Sequence, residues 1–143
     1  MRDNQAEAFF VDETGGYGAG VIDAMRQLGH DVVGVQFGGR ASDYRYFNNR
    51  SEMYFELAKW VKAGGALPDD RELKEELCAT TFIYQGDKFR IVEKGIIKDQ
   101  IGRSPDKADA LALTFAYPAA KRNPLDQYRN KSGARDYDPY SMA

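Results

Sequence analysis

A strand, a glycine-rich turn, a helix and a second strand follow one another within the first 37 residues, and few folds accommodate that order. The apolar run at residues 6–11 predicts a buried strand, and Gly-Gly-Tyr-Gly-Ala-Gly follows it at residues 15–20. Apolar residues at helical spacing in residues 21–28, with Gly29 next, predict a helix and its end. Residues 31–37 form a nearly continuous apolar run, typical of a strand covered on both faces. Such a unit places its two strands in parallel, so we predict an α/β fold.

The rest of the chain predicts three more helices and a hairpin. Helices are expected at residues 51–62 and 71–77, and two apolar runs around a Gly-containing turn predict a β-hairpin at residues 80–92. A further helix is expected to start at Ser104 and Pro105, because serine favours the N-cap and proline the first helical position.

A length of 143 residues fits one domain with a core of its own. Periodicity is lost after Pro118, so we predict a domain at residues 1–118 and a flexible or docking tail at residues 119–143. No apolar run approaches the roughly 20 residues that span a bilayer, and no signal peptide opens the sequence. We therefore expect a cytoplasmic protein without a membrane partner.

The composition leaves the carboxylates as the most numerous candidates for functional groups. One cysteine and one histidine exclude an intrachain disulfide and a metal cage rich in either residue. Twenty basic and 22 acidic residues give a net charge of −2, which excludes nucleic-acid binding through bulk positive charge but allows a local basic groove. Carboxylates, hydroxyls and the lone Cys78 or His30 remain as candidate groups.

Three aspartates stand in positions that suit a metal site. Asp12 ends the first strand, where open α/β sheets place functional groups, and Asp106 and Asp109 share one face at the start of the last helix. Acids at a strand end and a helix start can converge on Mg²⁺, which binds through one or two carboxylates plus water and phosphate oxygens. Other interpretations stay open: Asp12 also suits a turn, Asp106 the helix dipole, and Asp109 a cap or an ion pair with a lysine.

Basic residues cluster shortly before these helix acids. Residues 88–107 contain six bases and three acids, a local charge of +3, whereas residues 69–76 contain five acids and two bases. A basic hairpin and loop next to an acidic metal site would suit a nucleic-acid backbone. The alternative is a solvated hairpin face.

Two segments resemble a known family. Residues 10–23 (Phe-Val-Asp-Glu-Thr-Gly-Gly-Tyr-Gly-Ala-Gly-Val-Ile-Asp) and residues 102–113 (Gly-Arg-Ser-Pro-Asp-Lys-Ala-Asp-Ala-Leu-Ala-Leu) resemble the nuclease domain of the large terminase subunit of tailed bacteriophages. The intervening order is similar as well, with Asn-Arg-x-Glu at residues 49–52 and Gly-Ala-Leu-Pro at residues 65–68. The second of the two segments is the most specific, and the resemblance covers roughly residues 6–117.

The resemblance implies a ribonuclease-H-like fold: a mixed sheet flanked by helices, with a β-hairpin insertion and without the fold's first strands. In this family three acids bind two Mg²⁺ or Mn²⁺ ions, and the nuclease cleaves concatemeric viral DNA during packaging. By this resemblance Asp12 and Asp106 are catalytic acids and metal ligands, and Asp109 is a nearby acid that acts in catalysis beside Asp106. The implied DNA contacts are Lys94, Lys98, Arg103 and Lys107.

The chain also departs from this family. The family's first acidic ligand lies on a strand upstream of everything in this sequence, and its ATPase domain has no counterpart here. We therefore expect a fragment, a split product or a remnant, with weak or no nuclease activity alone and no ATPase activity. Expected partners are double-stranded DNA, the portal, the small terminase subunit, and a second copy or another chain that supplies the missing strands, in the cytoplasm of a bacterial host.

Three alternatives remain. One is a non-enzymatic packaging or protein-interaction module that keeps the fold without the chemistry. Another ribonuclease-H-like nuclease, such as a junction resolvase, would also need the first-strand acid. A nucleotide-binding α/β domain would need a complete phosphate loop, which the spacing of Gly16, Gly18 and Gly20 does not provide.

Overall fold

The computed structural model describes residue 6 and residues 8–119, and one compact unit spans Ala8–Pro118. Within it the α-helices are α1 (Ala19–Gln27), α2 (Asn49–Lys62), α3 (Arg71–Ala79), α4 (Lys94–Ile101) and α5 (Asp106–Leu113). The strands are β1 (Phe10–Asp12), β2 (Val33–Val35), β3 (Phe82–Gln85) and β4 (Lys88–Ile91). The predicted tail at residues 119–143 lies outside the described residues, apart from Ala119.

The predicted parallel unit is present, with shorter strands than the apolar runs indicated. β1 pairs in parallel with β2, and Asp12 lies opposite Val35. The helix between them, α1, buries Ile22 and is followed by Gly29, whose φ of 79° favours glycine. The turn after β1 is tight, because a Cβ added at Gly18 would lie 2.0 Å from the carbonyl oxygen of Asp12.

The hairpin forms a sheet of its own. β3 and β4 pair antiparallel around a two-residue loop in which Gly86 has a φ of 65°. An isolated bridge joins Tyr46, in the loop before α2, to Phe89 of β4. The described strands therefore form two small sheets, one parallel and one antiparallel, where the resemblance implied one mixed sheet.

Two helix starts differ from their predicted caps. The side chain of Asn48 accepts the Ser51 backbone N–H at 2.9 Å, so α2 is capped by Asn48 and not by Ser51. Ser104 does not cap α5, because its hydroxyl donates to Asp106 Oδ1 at 2.6 Å. Instead the buried Glu76 of α3 accepts the Ala108 N–H at 2.9 Å, so a neighbouring helix satisfies this donor.

The main core lies between α2, α3, α5 and the strands. Its buried members include Val35 and Phe37 after β2, Met53 and Leu57 of α2, Leu73 of α3, Ile91 of β4, and Ala108 and Ala112 of α5. α4 was not predicted; it buries Ile97 in a second small cluster with Ala79 and Val92. No helix in the described part of the chain is long and apolar enough to cross a membrane.

Candidate active site

Asp12 is held at the carboxyl end of β1 by the turn that follows it. Its Oδ1 accepts the backbone N–H of Thr14 at 2.9 Å. Thr14 in turn accepts the Phe37 N–H through its hydroxyl at 3.0 Å, which ties this turn to the residues after β2. The strand end, the turn and the neighbouring strand thus fix the position of this carboxylate.

Asp12 lines a cavity of about 480 Å³. The cavity lies where the turn after β1 meets the start of α2, the end of β4 and the start of α4. Its charged lining consists of the acids Asp12 and Glu93 and the bases Arg50, Arg90 and Lys94. Arg90 pairs with Glu93, which leaves Arg50 and Lys94 beside Asp12 in the lining. Such a mixed lining can meet both an anion and a metal ion.

Asp109 lies behind this cavity in a buried ion cluster. Its Oδ1 accepts from Arg50 Nε at 3.2 Å and from the Tyr54 hydroxyl at 2.8 Å. Its Oδ2 lies 2.8 Å from Lys94 Nζ, an ion-pair distance, but the two groups are not aligned as a hydrogen bond, so this buried oxygen has no hydrogen-bond partner. Because Arg50 and Lys94 also line the cavity, Asp109 is joined to it by direct contacts.

Burial controls the chemistry of this cluster. It raises the pKa of Tyr54 far above its usual range, and the negative charge of Asp109 raises this pKa further. Tyr54 therefore stays a neutral hydrogen-bond donor. Arg50 also donates to the Val92 carbonyl at 2.8 Å, while its Nη2 is buried without a hydrogen-bond partner.

Asp106 lies apart from this arrangement. Its side chain is exposed at the first residue of α5, and its only hydrogen bond within the described residues is the one from Ser104. It is not among the residues that line the cavity with Asp12. Asp109 is thus linked to the Asp12 cavity only through its partners Arg50 and Lys94, and Asp106 has no such link within the described residues, so its role as a metal ligand stays a prediction.

The four predicted DNA contacts lie in three different settings. Lys94 lines the cavity, and Lys98 is exposed on α4 without an ion pair inside the described residues. Lys107 bridges Asp70 and Glu72 at 2.7 Å each, and Arg103 pairs with Glu75 at 2.8 Å. Those three acids lie at the start of α3 and along it. The hydrogen bond from Lys107 holds the pKa of Asp70 below its usual range.

Asp12 and Glu93 are the carboxylates that line the cavity and could contact a hard cation there, whereas Asp109 lies outside the lining, with its Oδ2 buried beside Lys94. Asp12 uses one oxygen for the turn, and Asp109 has one oxygen without a hydrogen bond. Over residues 6 and 8–119 no group of three His, Cys, Asp or Glu side chains is placed to hold an ion. One or two carboxylates with water and phosphate oxygens suffice for Mg²⁺, whereas a two-ion site on three acids has no counterpart in this part of the chain.

Sequence reasoning missed Arg50, Tyr54 and Glu76 as members of these clusters. Arg50 lies in the Asn-Arg-x-Glu stretch that supported the resemblance, but nothing in that stretch indicated a pairing with Asp109, which lies 59 residues away. Glu76 belongs to the acidic run of residues 69–76, whose composition indicates only an excess of negative charge. The tertiary fold alone brings these partners together.

Comparison with known proteins gives a match in structure and none in sequence. No protein-family model matches the chain, and no curated protein matches it. Among solved structures, the nuclease domain of the large terminase subunit of bacterial virus Sf6 is 22% identical, with a TM-score of 0.59, over 83% of this chain and 68% of that one.

Two structures of a point variant of the same Sf6 domain are similar as well. The one solved with manganese has 21% identity and a TM-score of 0.62, over 82% of this chain and 69% of that one. The one solved with calcium has 21% identity and a TM-score of 0.61, over 82% of this chain and 68% of that one. The fold predicted from the resemblance is therefore confirmed: this chain has the ribonuclease-H-like fold of a phage terminase nuclease domain.

Proposed function

We propose that the chain is a metal-dependent endodeoxyribonuclease domain of the terminase type, which cleaves double-stranded viral DNA during packaging. The observation that carries this proposal is the position of Asp12, at the carboxyl end of β1 and on a cavity lined by three cations. A carboxylate for a cation next to basic groups for a phosphate is the combination that phosphodiester hydrolysis requires. The shared fold with the Sf6 nuclease domain supports the same assignment.

We infer that Asp12 is the principal metal ligand and that Asp109 is a stronger candidate than Asp106 for the second acid. Two partners of Asp109, Arg50 and Lys94, line the cavity with Asp12, and its Oδ2 has no hydrogen bond. Asp106 is exposed and contacts Ser104. Asp106 and Asp109 are both candidates for the second metal ligand, and replacing each of them in turn by asparagine distinguishes between the two.

The cofactor that fits these residues is Mg²⁺ or Mn²⁺, held by Asp12 together with Asp109 or Asp106. When bound, such an ion lowers the pKa of a coordinated water and stabilises charge on the leaving oxygen. Arg50 and Lys94 would position the phosphate through charge, and Tyr54 would keep Asp109 oriented through its hydroxyl. The Sf6 structures solved with manganese and with calcium support dependence on a divalent metal in general.

Weak activity of the chain alone is part of this proposal, because a third acid is not assembled among the described residues. The portal, the small terminase subunit, and a second copy or a chain that supplies the missing strands are the proposed protein partners. The proposed location is the cytoplasm of a bacterial host. Each of these follows from the resemblance to terminases.

A non-enzymatic packaging module is the second candidate. The observation that favours it is that Asp109 already forms ion pairs with Arg50 and Lys94. Such pairing is typical of an ion cluster that stabilises the fold and has no catalytic role. In that case the cavity would keep its shape without binding a metal ion. The two candidates differ in what happens when Mn²⁺ is added.

Nicking of supercoiled plasmid and calorimetric Mn²⁺ binding distinguish them. The wild-type chain is compared with Asp12→Asn, Asp106→Asn and Asp109→Asn, and with Asp87→Asn in the hairpin loop as a control. We expect Asp12→Asn to lower nicking about a hundredfold or more, and to weaken Mn²⁺ binding, while the control behaves as wild type. A wild-type chain that neither nicks DNA nor binds Mn²⁺ would establish the inert module.

A further inference from the structure

The hairpin sheet has one covered edge and one open edge. On the β4 side, Phe89 donates its N–H to the Arg45 carbonyl at 2.8 Å and accepts the Phe47 N–H at 2.9 Å, so the loop before α2 covers that edge. On the β3 side, no backbone group of residues 82–85 forms a hydrogen bond outside the hairpin within the described part of the chain. β3 is therefore the open edge of this sheet, where another strand can add.

The register of the hairpin decides which backbone groups of β3 point outward. The Val92 N–H donates to the Thr81 carbonyl at 3.1 Å across the hairpin. Hydrogen-bonded and non-hydrogen-bonded pairs alternate along an antiparallel ladder, so Ile83 also bonds to β4. Phe82 and Tyr84 alternate with these residues, and their backbone N–H and C=O groups therefore point away from β4, towards the open edge.

The side chains of β3 are apolar and exposed. Phe82, Ile83 and Tyr84 are 49%, 49% and 66% exposed. The strand has no charged residue and no proline, the features with which edge strands usually prevent further pairing. Its sequence is nearly symmetric about Ile83, because an aromatic residue stands on each side. An antiparallel copy of the same strand is thus complementary to it.

We propose that two copies of this chain dimerise through β3, antiparallel to each other and about a two-fold axis at Ile83. In that arrangement Phe82 exchanges a pair of backbone hydrogen bonds with the partner's Tyr84, and the symmetric contact repeats this pair. The Ile83 side chain faces the partner's Ile83 at the axis, and each Phe82 ring lies beside a tyrosine ring, a favourable cross-strand contact. The inference does not depend on the proposed nuclease activity, and it uses a different sheet from the parallel β1–β2 pair.

Single cysteines test this register in the full chain, with the exposed Cys78 replaced by serine. The Cα atoms of a non-hydrogen-bonded antiparallel pair lie about 4.5 Å apart, a distance that a disulfide can span. We therefore expect Ile83→Cys to form a covalent dimer under mild oxidation. Gln85→Cys is the matched control: its two copies would lie roughly 13 Å apart along the strands and should not crosslink.

Sedimentation equilibrium measures the dimer without a crosslink. Ile83→Lys places two like charges opposite each other at the axis and should weaken dimerisation about tenfold or more. Ile96→Lys, at an exposed position of α4, should leave dimerisation unchanged. Both positions are exposed, so circular dichroism should show the wild-type fold in each variant.

Three results would overturn the inference. The first is a wild-type chain that stays monomeric at every concentration measured. The second is equal crosslinking of Ile83→Cys and Gln85→Cys, which would rule out the register. The third is a dimer that persists unchanged in Ile83→Lys, which would place the interface elsewhere. Plasmid nicking tests the proposed function separately, so the failure of one proposal does not affect the other.

Discussion

Lys94 Nζ lies 2.8 Å from Asp109 Oδ2, so the ammonium group of a cavity-lining lysine is paired with this buried carboxylate oxygen. The Lys94 side chain is 45% exposed, whereas that of Asp109 is 7% exposed. The lysine can therefore move into solvent while the aspartate cannot. Any cation that binds Asp109 from the cavity must compete with this ammonium group.

Replacement of Lys94 by methionine should strengthen Mn²⁺ binding by about tenfold, because it removes a positive charge a few ångströms from the proposed ion. Calorimetry at neutral pH measures this change. Lys98→Met, on the same helix but without an ion pair inside the described residues, should leave Mn²⁺ affinity unchanged. Unaltered affinity in Lys94→Met would show that Asp109 is not a ligand.

Loss of Arg50 should destabilise the fold strongly. Arg50→Met leaves Asp109 buried without its guanidinium partner, and breaking a buried ion pair in this way costs about 3–5 kcal/mol in the free energy of unfolding. Urea denaturation followed by circular dichroism measures it. The double variant Arg50→Met with Asp109→Leu should recover much of the loss, since the buried carboxylate that has lost its guanidinium is then removed. A stable single variant would contradict the buried pairing.

Two glycines of the Asp12 turn should respond in opposite directions to alanine. In Gly18→Ala the new Cβ would lie 2.0 Å from the Asp12 carbonyl oxygen, so β1 and the helix start must separate. A Cβ at Gly20, inside α1, meets nothing within 4 Å, and alanine there should stabilise the helix by up to about 1 kcal/mol. Thermal denaturation of both variants is the measurement. If Gly18→Ala is as stable as wild type, the close approach is wrong.

The loop before α2 provides a test at acid pH. Hydrogen bonds from the side chain and then the backbone N–H of Arg45 lower the pKa of Asp43 from 3.8 to about 2. A lowered folded-state pKa means that the pair stabilises the fold above pH 3.8 and that this contribution disappears as the pH falls towards 2. NMR titration of the Asp43 carboxyl carbon should show this pKa, and Arg45→Gln should return it towards 3.8. An unchanged midpoint in that variant would refute the assignment.

The parts of the fold that sequence could predict are those set by local rules. The parallel βαβ unit followed from the apolar runs around the glycine turn, and the hairpin followed from two runs around Gly86. α4 was missed because Lys94 and Gly95 open it without a capping side chain and its only fully buried residue is Ile97. A short amphipathic segment with one buried contact leaves little periodicity to detect.

The candidate site also has one part that the sequence could predict and another that depends on the tertiary fold. Asp12 could be predicted because its position depends on a strand end, which is a local feature. The links from Asp109 to Arg50 and Tyr54 could not, since these residues lie 59 and 55 positions apart in the chain and carry ordinary helix sequences. Helical spacing puts Asp106 and Asp109 on one face, and the packing of α5 against α2 and α3 leaves Asp109 buried and Asp106 exposed.

The acids along α3 have a consequence for how tightly DNA could be held. Arg103 and Lys107 already have carboxylates within 2.8 Å, so each counts for less than a full positive charge towards an approaching phosphate. Affinity for DNA gains mainly from counterions released as free cations meet phosphates. A cation that is already paired with a carboxylate of the same protein releases few counterions when it meets a phosphate. The same holds for the cavity cations Arg50, Arg90 and Lys94, which pair with Asp109 or Glu93. The basic stretch of residues 88–107 therefore attracts DNA less than its sequence charge suggests, and recognition at this surface must depend more on shape.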